Sequence, residues 1–74
     1  MNKKELIQIL LDMDTEFYPI LGEEKIEILR DYQKAILYIT EAWDEMAKVL
    51  GLDENTVKEA CRTGYNIIKE RRFK

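Results

Sequence analysis

Apolar residues recur at helical spacing in four stretches of this chain, and each predicts an amphipathic helix. The first spans about residues 3–17. Leu6, Leu10, Met13 and Phe17 form one stripe, and Ile7, Ile9 and Leu11 widen it. A face that broad implies contact with more than one other element, or with a second chain. Asp12, Asp14 and Glu16 lie on or near its polar side. Asn2 fits the N-cap, with Glu5 three residues later completing a capping box. Pro19 biases Tyr18 away from helical angles and is expected to stop this helix. Gly22 then allows the turn. Tyr18, Ile20 and Leu21 are too apolar for a solvated link, so they are expected against the core.

The second helix starts at Glu23, where the Glu23-Glu24 pair suits a helix N-terminus. Ile26, Leu29, Ile36 and Trp43 fall on one side, flanked by Ile28, Tyr32, Ala35 and Ile39. Two readings stand here. One helix could run from Glu23 to Leu50, or the chain could break near Thr40, with Thr40 capping a third helix from about Glu41. The β-branched run around Ile39-Thr40 and the cap residue favour the break. Trp43 is read as core.

Ala47, Gly51 and Val57 then follow at the spacing A-x3-G-x5-V, with Met46, Leu50 and Leu52 between them. In a helix-turn-helix each has a task. Ala47 is small enough for a second helix to cross closely above it. Gly51 supplies the positive φ of a helix exit. Leu52 is expected to plug the gap beneath the turn. Asp53 caps the next helix, and Val57 is its first core-facing residue. Such units commonly set their second helix in the DNA major groove. That last helix, from about Glu54, turns Val57, Cys61, Gly64 and Ile68 inward, with Ala60, Tyr65 and Ile67 at the edges. Gly64 costs a helix about 1 kcal/mol relative to Ala, which a close helix crossing could offset.

The pattern therefore predicts an all-α protein: a small bundle of four helices, or three if the second and third are joined, containing a helix-turn-helix. At 74 residues it forms a single domain, with residues 1–40 as N-terminal helices and 41–74 as the corner and basic helix end. A chain of this size hides only about 60% of its unfolded surface, so a homodimer would help stability. No apolar run reaches the roughly 20 residues of a membrane span, and no signal peptide is evident at Met1-Asn2-Lys3-Lys4-Glu5. Cys61 is the one cysteine, so no internal disulfide can form, which fits a reducing cytoplasm. It is read as a small core residue.

The net charge of −3 is unevenly distributed. Residues 1–50 hold six basic and eleven acidic groups, and residues 51–74 hold six basic and four acidic. The basic end also holds the last helix, finishing in Lys69-Glu70-Arg71-Arg72-Phe73-Lys74, where cations suit the helix dipole.

The stretch Glu45-Met46-Ala47-Lys48-Val49-Leu50-Gly51-Leu52-Asp53-Glu54-Asn55-Thr56-Val57-Lys58 resembles the helix-turn-helix of sigma-factor region 4 and of related response-regulator output domains. In those families a similar run opens a long recognition helix that often ends in a basic stretch, as Ile67-Ile68-Lys69-Glu70-Arg71-Arg72 does here. The likeness covers about residues 41–72, and residues 1–40 share none of it. It implies that Asn55, Thr56, Lys58, Glu59 and Arg62 lie on the outward side of a recognition helix. Those families often carry basic residues where Ala60, Thr63 and Asn66 stand, and Glu54 and Glu59 add negative charge nearby.

Other chemistry finds little footing. The chain has no His, the commonest general base. Asp12 and Asp14 lack a third carboxylate or a glycine-bearing loop for a hard cation. No phosphate-cradling loop or nucleophile–base pair is visible, so no enzymatic activity, cofactor, metal or small-molecule substrate is expected. The leading expectation is a small DNA-binding regulator of transcription, or of excision and replication in a phage or mobile element. Asn55 or Lys58 would read base edges of double-stranded DNA, and Arg62, Lys69, Arg71 and Arg72 would meet the backbone. The alternative is an acidic protein-binding module that docks on a host nucleic-acid enzyme such as RNA polymerase. A third option is a structural or oligomerisation domain.

Overall fold

The computed structural model describes residues 1–73, and for Arg72 and Phe73 the backbone alone. It contains three helices, α1 (Lys3–Ile39), α2 (Trp43–Leu50) and α3 (Glu54–Phe73), and no strand among the described residues.

Asn2 opens α1: its Oδ1 accepts from the Glu5 amide at 2.8 Å. The Glu5 carboxylate answers by accepting from the Asn2 side-chain amide at 3.3 Å. A straight helix of this length would reach about 55 Å, yet the longest extent of the molecule is 28 Å. The helix doubles back at Gly22, whose φ of 76° and ψ of 168° are non-helical. The two expected N-terminal helices are thus arms of one bent element, residues 3–21 and 23–39. Gln33 Nε2 donates to the Leu10 carbonyl at 2.8 Å across the arms. Arg30 Nε meets Asp14 at 3.1 Å.

The turn is placed by Gly22 rather than by Pro19, which the helix carries in its first arm. Proline has a helix-compatible φ and lacks only the amide. The Thr15 carbonyl that loses its partner belongs to an exposed residue, where water can serve it. Reversing the chain needs a backbone geometry that only glycine adopts freely. Tyr18 and Ile20, expected inside, are 57% and 72% exposed. Tyr18 instead lies under the Arg30 guanidinium, 5.8 Å from its ring centroid.

The first arm buries Ile7 and Leu10, packs Leu6, Leu11 and Met13 partly, and leaves Ile9 exposed. The second arm buries Ile26, Gln33, Ala35 and Leu37. Ile36, placed inside by the sequence pattern, faces outward. The second arm packs against both the first arm and α3, so its buried sector is displaced from the one that its largest aliphatics define.

The chain breaks after Ile39, as the cap signal suggested, but Thr40 closes α1 instead of opening α2. Its amide and hydroxyl both donate to the Ile36 carbonyl, at 3.0 and 2.6 Å. Glu41 takes the left-handed φ of 56°. Its amide donates to Tyr38 O, and the Ala42 amide donates to Leu37 O at 2.9 Å, the paired bonds of a Schellman stop. Ala42 is fully buried at this junction.

α3 crosses the second arm at Gly64. A Cβ there would lie 2.5 Å from Lys34 Cβ and 3.1 Å from Asp31 O, so the absent side chain permits the approach. Val57, Cys61 and Gly64 are buried, and Ile68 is half-buried. Tyr38 and Tyr65 stack across the same interface at 5.4 Å. Burial in apolar surroundings raises the Cys61 thiol pKa, which keeps it a protonated core group. No helix among the described residues is long and apolar enough to cross a membrane.

Candidate nucleic-acid interface

The corner between α2 and α3 is built from three local devices. Gly51 ends α2 with φ 68° and ψ 30°. Its amide donates to Lys48 O at 3.3 Å and the Leu52 amide to Ala47 O at 3.0 Å, a second Schellman stop. Asp53 starts α3, its Oδ2 accepting from the Thr56 amide at 3.1 Å and facing the Thr56 hydroxyl at 3.4 Å. Ala47 and Val57 are buried on the inner side.

Leu52 does not plug the turn. Val49, Leu50 and Leu52 are each more than half exposed. Leu50 and Leu52 instead edge an apolar groove of about 250 Å³. Its floor includes Leu10, Leu11, Leu37 and Val57, and Arg30 and Lys34 also line it. The sequence pattern does not reveal this groove: it sets Leu10, Leu11 and Val57 on inward stripes and Leu52 beneath the turn, and the pattern along one helix does not show whether a facing helix closes the space.

The side chains expected to meet DNA are on the surface. Asn55, Thr56, Lys58, Glu59, Arg62, Lys69 and Arg71 are all exposed. The side chain of Arg72 lies outside the described residues. Five of these positions, Thr56, Lys58, Glu59, Arg62 and Arg71, are engaged within the protein, Thr56 with Asp53 at the start of α3. Arg62 is ion-paired with Glu59 one turn earlier. Arg71 reaches Asp31 of α1 at 3.5 Å. The Lys58 ammonium sits 5.0 Å from the Trp43 ring centroid, a cation–π contact. Asn55, Lys58, Arg62, Asn66 and Lys69 fall at helical spacing on one strip of α3. Glu59 and Glu70 run beside it.

At the far end of the corner, the hydrogen bond from Lys3 holds the Asp44 carboxyl below the usual carboxylate range, with Lys3 Nζ 3.1 Å from Oδ1. No cluster of three or more His, Cys, Asp or Glu side chains that could hold a metal ion occurs among the described residues.

Comparison with protein families, with characterised proteins and with solved structures gives no match for this chain.

Proposed function

We propose that this protein is a small helix-turn-helix DNA-binding regulator, of the kind a phage or mobile element would encode. In this reading α2 and α3 form the helix-turn-helix, and α3 lies in the major groove of double-stranded DNA. The observation that carries the reading is the exposed strip on α3. It offers two amides, Asn55 and Asn66, and three cations, Lys58, Arg62 and Lys69, on a helix that begins at a glycine-turned corner. Asn and Arg/Lys are the side chains with good geometry toward adenine and guanine edges. Asn55 and Lys58 read bases, while Arg62, Lys69, Arg71 and Arg72 position the backbone, with Thr56 and Glu59 at the edge of the contact.

The test is an anisotropy titration against mixed-sequence duplexes at roughly 50 mM salt, followed by selection of preferred sites from a random pool. Binding that weakens with added salt, and weakens further in Lys58→Ala and Arg62→Ala, is the expected result. No binding to any duplex at that salt overturns the proposal.

One observation favours a second reading, in which the protein docks on and redirects a nucleic-acid enzyme such as RNA polymerase. α1 carries eight acidic against five basic side chains, and the groove beside Leu50 and Leu52 offers a nearby apolar seat. Tight binding to purified RNA polymerase, with no affinity for duplex, would select this reading.

A further inference from the structure

The second arm of α1 has a solvent-facing side that nothing in the fold covers. Ile28, Tyr32, Ile36 and Ile39 recur there at intervals of four, four and three, which is one stripe of a helix. They are 39%, 50%, 37% and 64% exposed. Four large apolar side chains in a row make a patch of roughly 300–400 Å², the size of the largest patch on a typical monomer, which is often functional. The rest of the arm is already occupied. Ile26, Gln33 and Leu37 are buried, and Lys34 and Tyr38 meet α3. Asp31, on the α3 side, is engaged by Arg71.

Charged side chains of both signs stand at each end of the stripe, Glu24 and Lys25 before Ile28, and Glu41 and Lys58 about Ile39. Lys25 lies one turn before Ile28. Glu41 follows Ile39 and lines the same shallow hollow, together with Lys58 and Trp43. Both are exposed, and neither forms an ion pair among the described residues.

We infer that this stripe is a homodimer interface, in which the second arms of two copies pack antiparallel across a two-fold axis. A two-fold interface must be self-complementary, and this one is. Antiparallel pairing sets Ile28 against the partner's Ile39, Tyr32 against the partner's Ile36, and Lys25 against the partner's Glu41. Each interface then has a dry centre and two ion pairs at its rim, the ordinary layout of a protein–protein contact. Parallel pairing would set Lys25 against Lys25 and Glu41 against Glu41. The overlap from Lys25 to Ile39 is about 21 Å of helix, most of the 28 Å length of the molecule. A partner with unrelated chemistry would have no reason to match opposite charges related by that axis. None of the stripe residues belongs to the α3 strip, and the two surfaces meet only at the hollow where Lys58 borders Ile39 and Glu41.

Sedimentation equilibrium of the full chain at roughly 100 μM is the direct measurement, a concentration at which even a weak micromolar dimer is populated. A dimer is expected, and a monomer overturns the inference. Tyr32→Glu with Ile36→Glu yields a monomer with an unchanged helical circular dichroism signal, because both side chains are exposed. A dimer that survives this pair of changes uses another face and also overturns the inference. Lys25→Glu alone and Glu41→Lys alone each weaken association about tenfold, and combining them restores it. Failure of the combined variant to recover rejects the antiparallel register. DNA affinity plays no part in these readouts, so the two proposals can fail separately.

Discussion

Gly64 of α3 and Lys34 of α1 approach so closely that no side chain fits between them. A Cβ on Gly64 would stand 2.5 Å from Lys34 Cβ, with the Asp31 carbonyl at 3.1 Å. In isolation, alanine at this position would favour the helix by about 1 kcal/mol. Packing wins here, because the obstruction is a Cβ and a backbone oxygen, neither of which can swing aside. Gly64→Ala is expected to destabilise the protein by about 1–3 kcal/mol, read as a lowered urea midpoint with an unchanged slope. A more stable variant would show that the crossing is looser than described.

Gly22 presents the opposite situation. Nothing lies within 4 Å of a Cβ built there, yet its φ of 76° with ψ of 168° is a region essentially restricted to glycine. Gly22→Ala is therefore expected to cost about 1–3 kcal/mol through backbone strain alone. In chemical denaturation it should resemble Gly64→Ala in size although it creates no steric clash.

Glu41 stands where a helix stop usually carries glycine, with φ at 56°. Comparing Glu41→Gly with Glu41→Ala isolates the backbone, since both remove the carboxylate. The glycine variant should be the more stable by about 1 kcal/mol, measured at concentrations low enough to keep association out of the comparison. Equal stability would mean the left-handed conformation carries no strain.

Asp44 predicts a pH effect. Its carboxyl pKa is depressed, first by the hydrogen bond from Lys3 and further by the Glu45 amide. A carboxyl depressed in the folded state adds stability above its unfolded value of about 3.9, and that stability disappears as pH falls through the lower folded value. Asp44→Asn should flatten the acid limb of the stability profile below about pH 4. The Lys3–Asp44 pair is solvent-exposed, so the change near neutrality should be small.

Glu59 holds Arg62 in an ion pair on the strip proposed to face DNA. Glu59→Gln removes a negative charge and frees the guanidinium. Duplex affinity at low salt should rise several-fold, and the salt dependence should steepen by about one unit of slope. An unchanged slope would place Arg62 away from the phosphates.

Short-range signals carried much of this fold in legible form. Asn2, Gly51 and Asp53 each act through bonds to residues within a few positions, so a sequence window contains both partners. The burial of Ala47, Val57 and Cys61 follows from their spacing along α2 and α3. The all-helical class follows from the same periodicity.

Tertiary structure decided what depends on two distant segments meeting. Pro19 is expected to end the first helix and Gly22 to allow the turn, and only the reversal that brings Leu10 beside Gln33 shows the helix running through the proline as far as the glycine. Ile36 and Ala35 are adjacent and both apolar. The smaller one went inside, because the second arm packs on two sides and the remaining side, with the bulkier isoleucine, was left to solvent. Leu50 and Leu52 stayed exposed for a related reason: they edge an open groove whose other walls come from both arms of α1 and from α3. A sequence window specifies which residues can be buried, whereas the directions from which neighbours arrive determine which of them are.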